Sequence, residues 1–229
     1  MMIHAALDTS EGFSFAVSCG NDVCCQAWQP GSGRDSDRRL VPFVMEKLAG
    51  CGLSPREVTR WTVGTGPGSF AGLRCGIAML KAFRMAAGCG LRGVPTSCAM
   101  AASAANGASG VVGVLHDGRC GQVLLARVEV ARDGAARLLE APEALDPSVL
   151  TEGKYACGSY CALASVALPV LPAVIARKLQ LLDGVDASRL LSAPAECYPW
   201  PDSDADTESS TAPLYVRQAV FVKPAQLRV

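Results

Sequence analysis

The sequence is poor in charged and aromatic side chains and above all in histidine. Of its 229 residues, 18% are charged, 6% are aromatic and two are histidines. The 21 basic side chains balance the 21 acidic ones, so the net charge is zero. The zero net charge argues against a dedicated nucleic-acid-binding protein, which would show a basic excess. A zinc site held by histidines lacks its ligands.

Cysteine is abundant, but it does not have the spacing of a metal site. The 11 cysteines include no Cys-x-x-Cys pair; the closest approaches are Cys24 beside Cys25 and Cys157 before Cys161. A secreted disulfide framework is not expected in a chain of this length. No basic leader precedes Asp8, and no apolar run reaches the ~18 residues of a membrane helix. The sequence therefore predicts a cytoplasmic protein with reduced thiols, no metal site and no membrane association.

Apolar periodicity predicts an α/β chain. Apolar runs and apolar–polar alternation predict three strands of an antiparallel meander, at residues 3–7, 13–18 and 23–28. A further strand is expected at residues 61–63. Helices are expected at Arg38–Gly50 and Leu73–Ala87, and a short one is expected at Ser54–Glu57. Beyond a junction at Asn106–Gly110, the pattern predicts strands at 111–115, 122–130 and 155–157 and a helical piece at 177–182. Residues 212–217 are expected to dock back as extended chain.

Asp8, Thr9 and Ser10 follow the first strand directly. A carboxylate there can hold hydrated Mg²⁺ while the hydroxyls face phosphate oxygens. The alternative is that Asp8 only hydrogen-bonds the turn that it begins.

The second candidate feature is the glycine-rich turn at residues 64–72. Its glycines expose backbone amides at the start of a helix, which favours an anion beside Gly66, Gly68 and Ser69. It is neither a Walker A loop nor a Rossmann fingerprint. A tight strand-to-helix turn would require the same glycines.

The helix after this turn carries small residues on part of its surface, at Gly72, Gly76, Ala78, Ala82 and Ala86. It also looks apolar on more than one face, which suggests that a second face is covered by a partner.

Nucleophilic catalysis has little support, because there is no Gly-x-Ser-x-Gly elbow and few histidines are present to complete a triad. His116 beside Asp117 could act as a base, but a structural role is the more common one.

Five blocks of the sequence resemble one family. Residues 3–10, 38–42 and 63–77, the Asp-Gly-Arg-Cys-Gly-Gln-Val run at 117–123 and the Pro-Leu-Tyr-Val-Arg run at 213–217 are similar, in the same order, to the TsaB family. This is the bacterial family of tRNA threonylcarbamoyladenosine biosynthesis proteins, glycoprotease-like relatives of TsaD. Three positions depart from it: Ser36, Thr65 and Ala71 stand where the family often has His, Arg and Thr.

The resemblance implies a two-lobed actin, Hsp70 and sugar-kinase-like fold with ribonuclease-H-like lobes. The first lobe would span residues 1–105, and a degenerate second α/β lobe would span residues 106–229. The implied function is that of a non-catalytic subunit that pairs with and stabilises a catalytic TsaD-type subunit, with a TsaE-type ATPase in the larger complex. Contact with tRNA would be indirect, and the chain alone would form a homodimer.

The resemblance also implies which residues matter. It implies no catalytic residues and no cofactor, with ATP or ADP and Mg²⁺ acting only within the complex. The partner surface would be built from the two helices of the first lobe, through Leu40, Val44, Leu73, Arg74, Gly76, Ile77, Leu80 and Lys81. The alternative is a small ATP-dependent phosphotransferase or ATPase of the same superfamily, using Asp8 and the glycine turn, whereas a peptidase has the least support.

Overall fold

Two β-sheets covered by helices make up the computed structural model, which describes residues 2–31, 36–194 and 211–214. The first sheet has the strand order β3-β2-β1-β4-β5. Its strands are β1 (Ile3–Asp8), β2 (Gly12–Cys19), β3 (Asp22–Pro30), β4 (Arg60–Gly64) and β5 (Gly90–Val94). The first three strands are antiparallel, and β4 and β5 run parallel to β1. The predicted meander is therefore confirmed.

The second sheet has the order β11-β10-β6-β7-β8, and β9 also pairs with β7. Its strands are β6 (Gly110–Arg119), β7 (Gln122–Val130), β8 (Ala136–Leu138), β9 (Glu143–Leu145), β10 (Ser159–Leu163) and β11 (Leu179–Leu182). Five α-helices lie within the described ranges: α1 (Ser36–Gly50), α2 (Phe70–Ala87), α3 (Thr96–Ala105), α4 (Ala173–Ala176) and α5 (Ser188–Leu191). Short 3-10 helices at Pro147–Thr151 and Gly153–Tyr155 connect β9 to β10.

Three local predictions were wrong. Residues 54–57 form a turn, in which the Ser54 N–H and hydroxyl both donate to Glu57 Oε2 at 2.8 Å, but no helix follows. The strand expected at residues 155–157 begins instead at Ser159. A helical piece was expected at residues 177–182, but Leu179–Leu182 forms the strand β11, which pairs in parallel with β10. In the last case tertiary pairing overrides a weak local preference.

The two sheets share part of one core. Helices α1 and α2 cover one face of the first sheet, whereas α5 packs on β1, β2 and β4, and α3 packs on the second sheet. Small residues of the first sheet, Ala6 and Ala16, belong to the same buried cluster as α3, β6, β7 and Leu190 of α5. The buried Arg92 of β5 strengthens this contact by donating to the Leu190 and Leu191 carbonyls at 3.2 and 3.3 Å.

The described end of the chain returns to the first lobe. The Leu214 N–H donates to the Thr65 carbonyl at 2.8 Å, and Thr211 is buried. Residues 215–217 of the predicted docking segment lie outside the described residues. Within the described ranges, no helix is both long and apolar enough to cross a membrane.

Candidate functional site

Asp8 ends β1 and is enclosed by hydrogen bonds from its own chain. Its side chain is 1% exposed. Oδ1 accepts from the Ser10 N–H at 2.9 Å and from the Ser10 hydroxyl at 2.6 Å, and Oδ2 accepts from the Thr96 hydroxyl at 2.5 Å. Burial raises the pKa of the Asp8 carboxyl, although these hydrogen bonds act in the opposite direction. Both oxygens of the carboxylate are thus engaged by groups of the protein itself.

Thr96, the first residue of α3, links Asp8 to the glycine turn. Its hydroxyl accepts from the Gly66 N–H at 3.0 Å, and its own N–H donates to the Gly66 carbonyl at 2.8 Å. A hydroxyl that accepts from one group and donates to another has a fixed orientation. Thr96 therefore holds the end of β1 and the turn after β4 together.

The glycines of the turn allow close approach of the Asp8-Thr9-Ser10 segment. A Cβ at Gly64 would collide with Asp8 Oδ2, and a Cβ at Gly76 would collide with Thr9 Oγ1. Gly68 and Gly72 are equally restricted, by Ser10 and by the Thr9 carbonyl. The glycines are thus required by packing within the chain.

Several backbone amides of the turn are also occupied internally. The Ser69 N–H donates to the Ser10 carbonyl at 2.7 Å, and the Gly72 N–H donates to the Ser69 hydroxyl at 3.2 Å, which caps α2. With the Gly66 amide on Thr96, three amides that could face a phosphate bond the chain instead. The structure therefore brings the six predicted contact residues, Asp8 to Ser10 with Gly66, Gly68 and Ser69, together as a hydrogen-bonded junction. Nucleotide binding there stays a prediction, and of the six only Gly68 and Ser69 are exposed.

A cavity of about 480 Å³ lies beside this junction, between the β2–β3 hairpin, α1 and α2. Its lining includes Glu11, Phe13, Trp28, Leu40 and Cys75. Burial, together with the nearby carboxylates of Asp8 and Asp117, raises the pKa of Glu11. These neighbouring carboxylates disfavour binding of an anionic ligand on the Glu11 side of the cavity.

His116, the one possible base, is buried. Its Nε2 lies 3.2 Å from the Ser97 hydroxyl, and burial lowers its pKa to about 4. The imidazole is therefore neutral at physiological pH and is enclosed in the core next to α3. Its role here is structural.

The residues expected to contact a partner occupy two different environments. Six of the eight are buried in the chain's own core: Leu40, Val44, Leu73, Gly76, Ile77 and Leu80. Arg74 is exposed and its guanidinium lies 4.4 Å from the centre of the Phe70 ring, whereas Lys81 is half-buried. The six buried residues belong to the most apolar face of each helix, which covers the first sheet, so a partner could reach them only through their exposed neighbours, and their role at an interface stays a prediction.

The neighbouring faces of α1 and α2 remain exposed. We call Val41 and Met45 of α1, with Phe70, Ala78 and Met85 of α2, the docking face. The four large side chains among them are 43–87% exposed, and Ala78 is exposed as well. Sequence reasoning identified the small residues of α2 but missed the large exposed ones. It also missed Thr96, for which a threonine directly after Pro95 at a helix start was the available signal.

Comparison with known proteins connects this fold to one family. The family model described as TsaD, tRNA N6-adenosine threonylcarbamoyltransferase, matches residues 31–148, just over half of the chain. The tRNA threonylcarbamoyladenosine biosynthesis protein TsaB of Escherichia coli strain K12 is 30% identical over 149 residues. That match covers 64% of this chain and 64% of the relative's own length.

Solved structures extend the likeness to most of the chain. YeaZ from Pseudomonas aeruginosa has a TM-score of 0.67 at 22% identity, covering 84% of this chain and 90% of that one. A second structure, of an uncharacterised protein with similarity to peptidase YeaZ from the same organism, matches equally well, with a TM-score of 0.67 and 22% identity. The predicted actin- and sugar-kinase-like fold is thereby confirmed.

Proposed function

The chain belongs to the family that the TsaD model describes, and we propose that it is a TsaB-type, non-catalytic subunit in the synthesis of threonylcarbamoyladenosine in tRNA. The observation that carries the proposal is the enclosed state of Asp8. A carboxylate with both oxygens bonded to Ser10 and Thr96 is a structural group. Chemistry on the threonylcarbamoyl group then belongs to a TsaD-type partner, and ATP or ADP with Mg²⁺ acts only within the complex.

The docking face is the surface that we assign to this partner. Its small and flexible side chains, Ala78 with Met45 and Met85, suit close packing of another helix. The exposed apolar groups lie on two adjacent helices that rest on the first sheet, so the surface is held by a rigid support. Pairing here would stabilise the catalytic subunit, and in its absence two copies of this chain would pair through the same face. We also propose that a TsaE-type ATPase joins the larger complex and that this chain contacts tRNA only indirectly.

Co-purification with the TsaD-type subunit of the same organism tests the assignment. Ala78→Arg places a bulky charge at an exposed helical position and should leave the fold intact. Ala176→Arg is the matched control, because Ala176 is also an exposed helical alanine but lies on α4, beside the second sheet. We expect Ala78→Arg to weaken association at least tenfold, about 1.4 kcal/mol, while the control binds as the wild type does. Unchanged binding by a folded Ala78→Arg variant would show that the docking face is wrongly assigned.

A further inference from the structure

Four cysteines gather at the turn end of the β2–β3 hairpin, away from the Asp8 junction. Cys19 ends β2, Cys24 and Cys25 lie in β3, and Cys51 follows α1. Cys24 is exposed and the other three are half-buried. Cys19, Cys25 and Cys51 all pack against the core between the first sheet and its helices. Three separate parts of the chain thus bring their thiols to one place.

A β-bulge explains why Cys24 joins this group. In the register of the hairpin, Val17 pairs with Cys25, Ser18 pairs with Val23, and the pairing shifts between them. Cys24 is therefore the extra residue of β3 and has no partner opposite it on β2. Its thiol donates to the Asp22 carbonyl at 3.4 Å. The bulge places Cys24 next to the Cys19–Asp22 pair, beside the turn of the hairpin.

The thiols interact in two pairs. In the hairpin register Cys19 pairs with Asp22, two residues before Cys24. Each of Cys19 and Cys51 has a neighbouring thiol that raises its pKa, Cys24 for Cys19 and, in addition to burial, Cys25 for Cys51. The contact with Cys24 raises the pKa of Cys19, so the Cys19 proton is retained longer. Exposure then decides which thiol meets a dissolved oxidant first, and Cys24 is the exposed one.

We propose that Cys24 is a site of oxidation by low-molecular-weight disulfides, of which oxidised glutathione is the probe, and that Cys19 resolves the adduct to an intrachain disulfide. In the first step the Cys24 thiolate attacks one sulfur of the oxidant, whose S–S bond breaks and releases one glutathione thiolate. In the second step the Cys19 thiolate attacks the Cys24 sulfur, and the second glutathione leaves as a thiolate. Each leaving thiolate takes up a proton, so two protein thiols are oxidised while one glutathione disulfide is reduced to two thiols.

Cys25 is a poor alternative partner for Cys24. Adjacent Cα atoms are about 3.8 Å apart, whereas disulfide-bonded cysteines usually have Cα atoms roughly 4.4–6.8 Å apart. A disulfide between neighbours in a strand would therefore be strained. Cys24 and Cys19 lie on different strands, so their separation is not fixed at the distance between neighbouring Cα atoms, and a link between them would fasten the two strands of the hairpin together.

Mass spectrometry of the folded chain after treatment with oxidised glutathione tests the proposal. Cleavage before Asp22 separates Cys19 from Cys24 and Cys25, so a crosslink holds the two fragments together. We expect the crosslink in the wild type and in Cys25→Ser, but not in Cys24→Ser. In Cys19→Ser we expect Cys24 to keep one glutathione. Cys120 is an exposed thiol at the second sheet and serves as the internal control: a glutathione adduct on it shows that the oxidant has reacted with the protein.

Three results would overturn the assignment. The first is a lasting glutathione on Cys24 in the wild type, which would show that Cys19 does not resolve it. The second is a crosslink that survives Cys24→Ser. The third is an unmodified Cys24 in a sample whose Cys120 carries glutathione.

Discussion

Thr96 Oγ1 lies 2.5 Å from Asp8 Oδ2 and donates its hydrogen bond to it, across 88 residues of sequence. This bond joins the end of the first strand to the start of α3, which packs on the second sheet. A carboxylate that the sequence offers as a metal or phosphate ligand is thus part of the connection between the first sheet and a helix that packs on the second sheet. The account of the protein as a non-catalytic subunit depends on this relationship.

Replacing Asp8 with Asn should destabilise the fold. An amide keeps one acceptor oxygen, whereas Asp8 accepts from Ser10 on one oxygen and from Thr96 on the other. The Thr96 hydroxyl already accepts from Gly66 and would be left without an acceptor. We expect the free energy of unfolding to fall by about 1–3 kcal/mol, as measured by urea denaturation. Asp22→Asn, in the exposed turn of the hairpin, is the control and should change stability by less than about 0.5 kcal/mol. Equal effects of the two substitutions would refute the structural role of Asp8.

Two glycine-to-alanine substitutions should have opposite effects. At Gly64 a methyl group would collide with Asp8 Oδ2 and crowd Thr96, so we expect a loss of at least about 2 kcal/mol in unfolding free energy. At Gly50, the last residue of α1, a Cβ would meet nothing within 4 Å. Alanine there should be neutral or stabilise by up to about 1 kcal/mol. Thermal unfolding of both variants measures the contrast, and a Gly64→Ala protein as stable as the wild type would contradict the packing described here.

His116 should make the protein less stable in acid. Its pKa is about 4 in the folded protein and 6.5 as its ordinary value, so between these values the unfolded chain binds a proton that the folded chain does not. Stability from this residue is present at neutral pH and is lost as pH falls through that window, by up to about 1.4 kcal/mol per pH unit.

The variant His116→Gln isolates this contribution. His4, whose pKa is also lowered to about 4, and the carboxyls of Asp8 and Glu11 titrate in both proteins, so their effects cancel in the difference. Urea unfolding from neutral pH to about 4.5 should therefore show a shallower acid dependence in the variant. Parallel pH profiles would mean that His116 is not buried as a neutral group.

Elements formed by local pattern were predictable, and elements formed by distant pairing were not. The hairpin of β2 and β3 and the long helices α1 and α2 follow from alternation and helical spacing within each segment. Leu179–Leu182 becomes a strand only because β10 is available beside it. Ser54 and Glu57 make the hydrogen bonds of a capping box, but no helical run follows them.

The candidate site, too, was predictable only in part from the sequence. The sequence offered Asp8 and the glycine turn as two separate candidate features, and the structure brings them together because each follows one of two strands that pair in parallel, β1 and β4. The sequence left open whether the glycines serve a phosphate or a tight turn, because both need the same residues. Thr96 shows that the turn is bonded to its own chain, and its position beside Asp8 depends on the path of the chain through β5. For the docking face, spacing identified the apolar face of each helix, but only the packed structure shows that this face is turned inward.

The central claim is that this chain acts by docking and that its own Asp8 performs no chemistry. Formation of threonylcarbamoyladenosine on tRNA, measured in a mixture of purified TsaD-type and TsaE-type subunits with this chain, tests it most directly. We predict that the Asp8→Asn variant, assayed where it is fully folded, supports synthesis at a rate within about twofold of the wild type, whereas Ala78→Arg supports little. A folded Asp8→Asn variant that still binds the TsaD-type subunit but yields no modified tRNA would contradict the account.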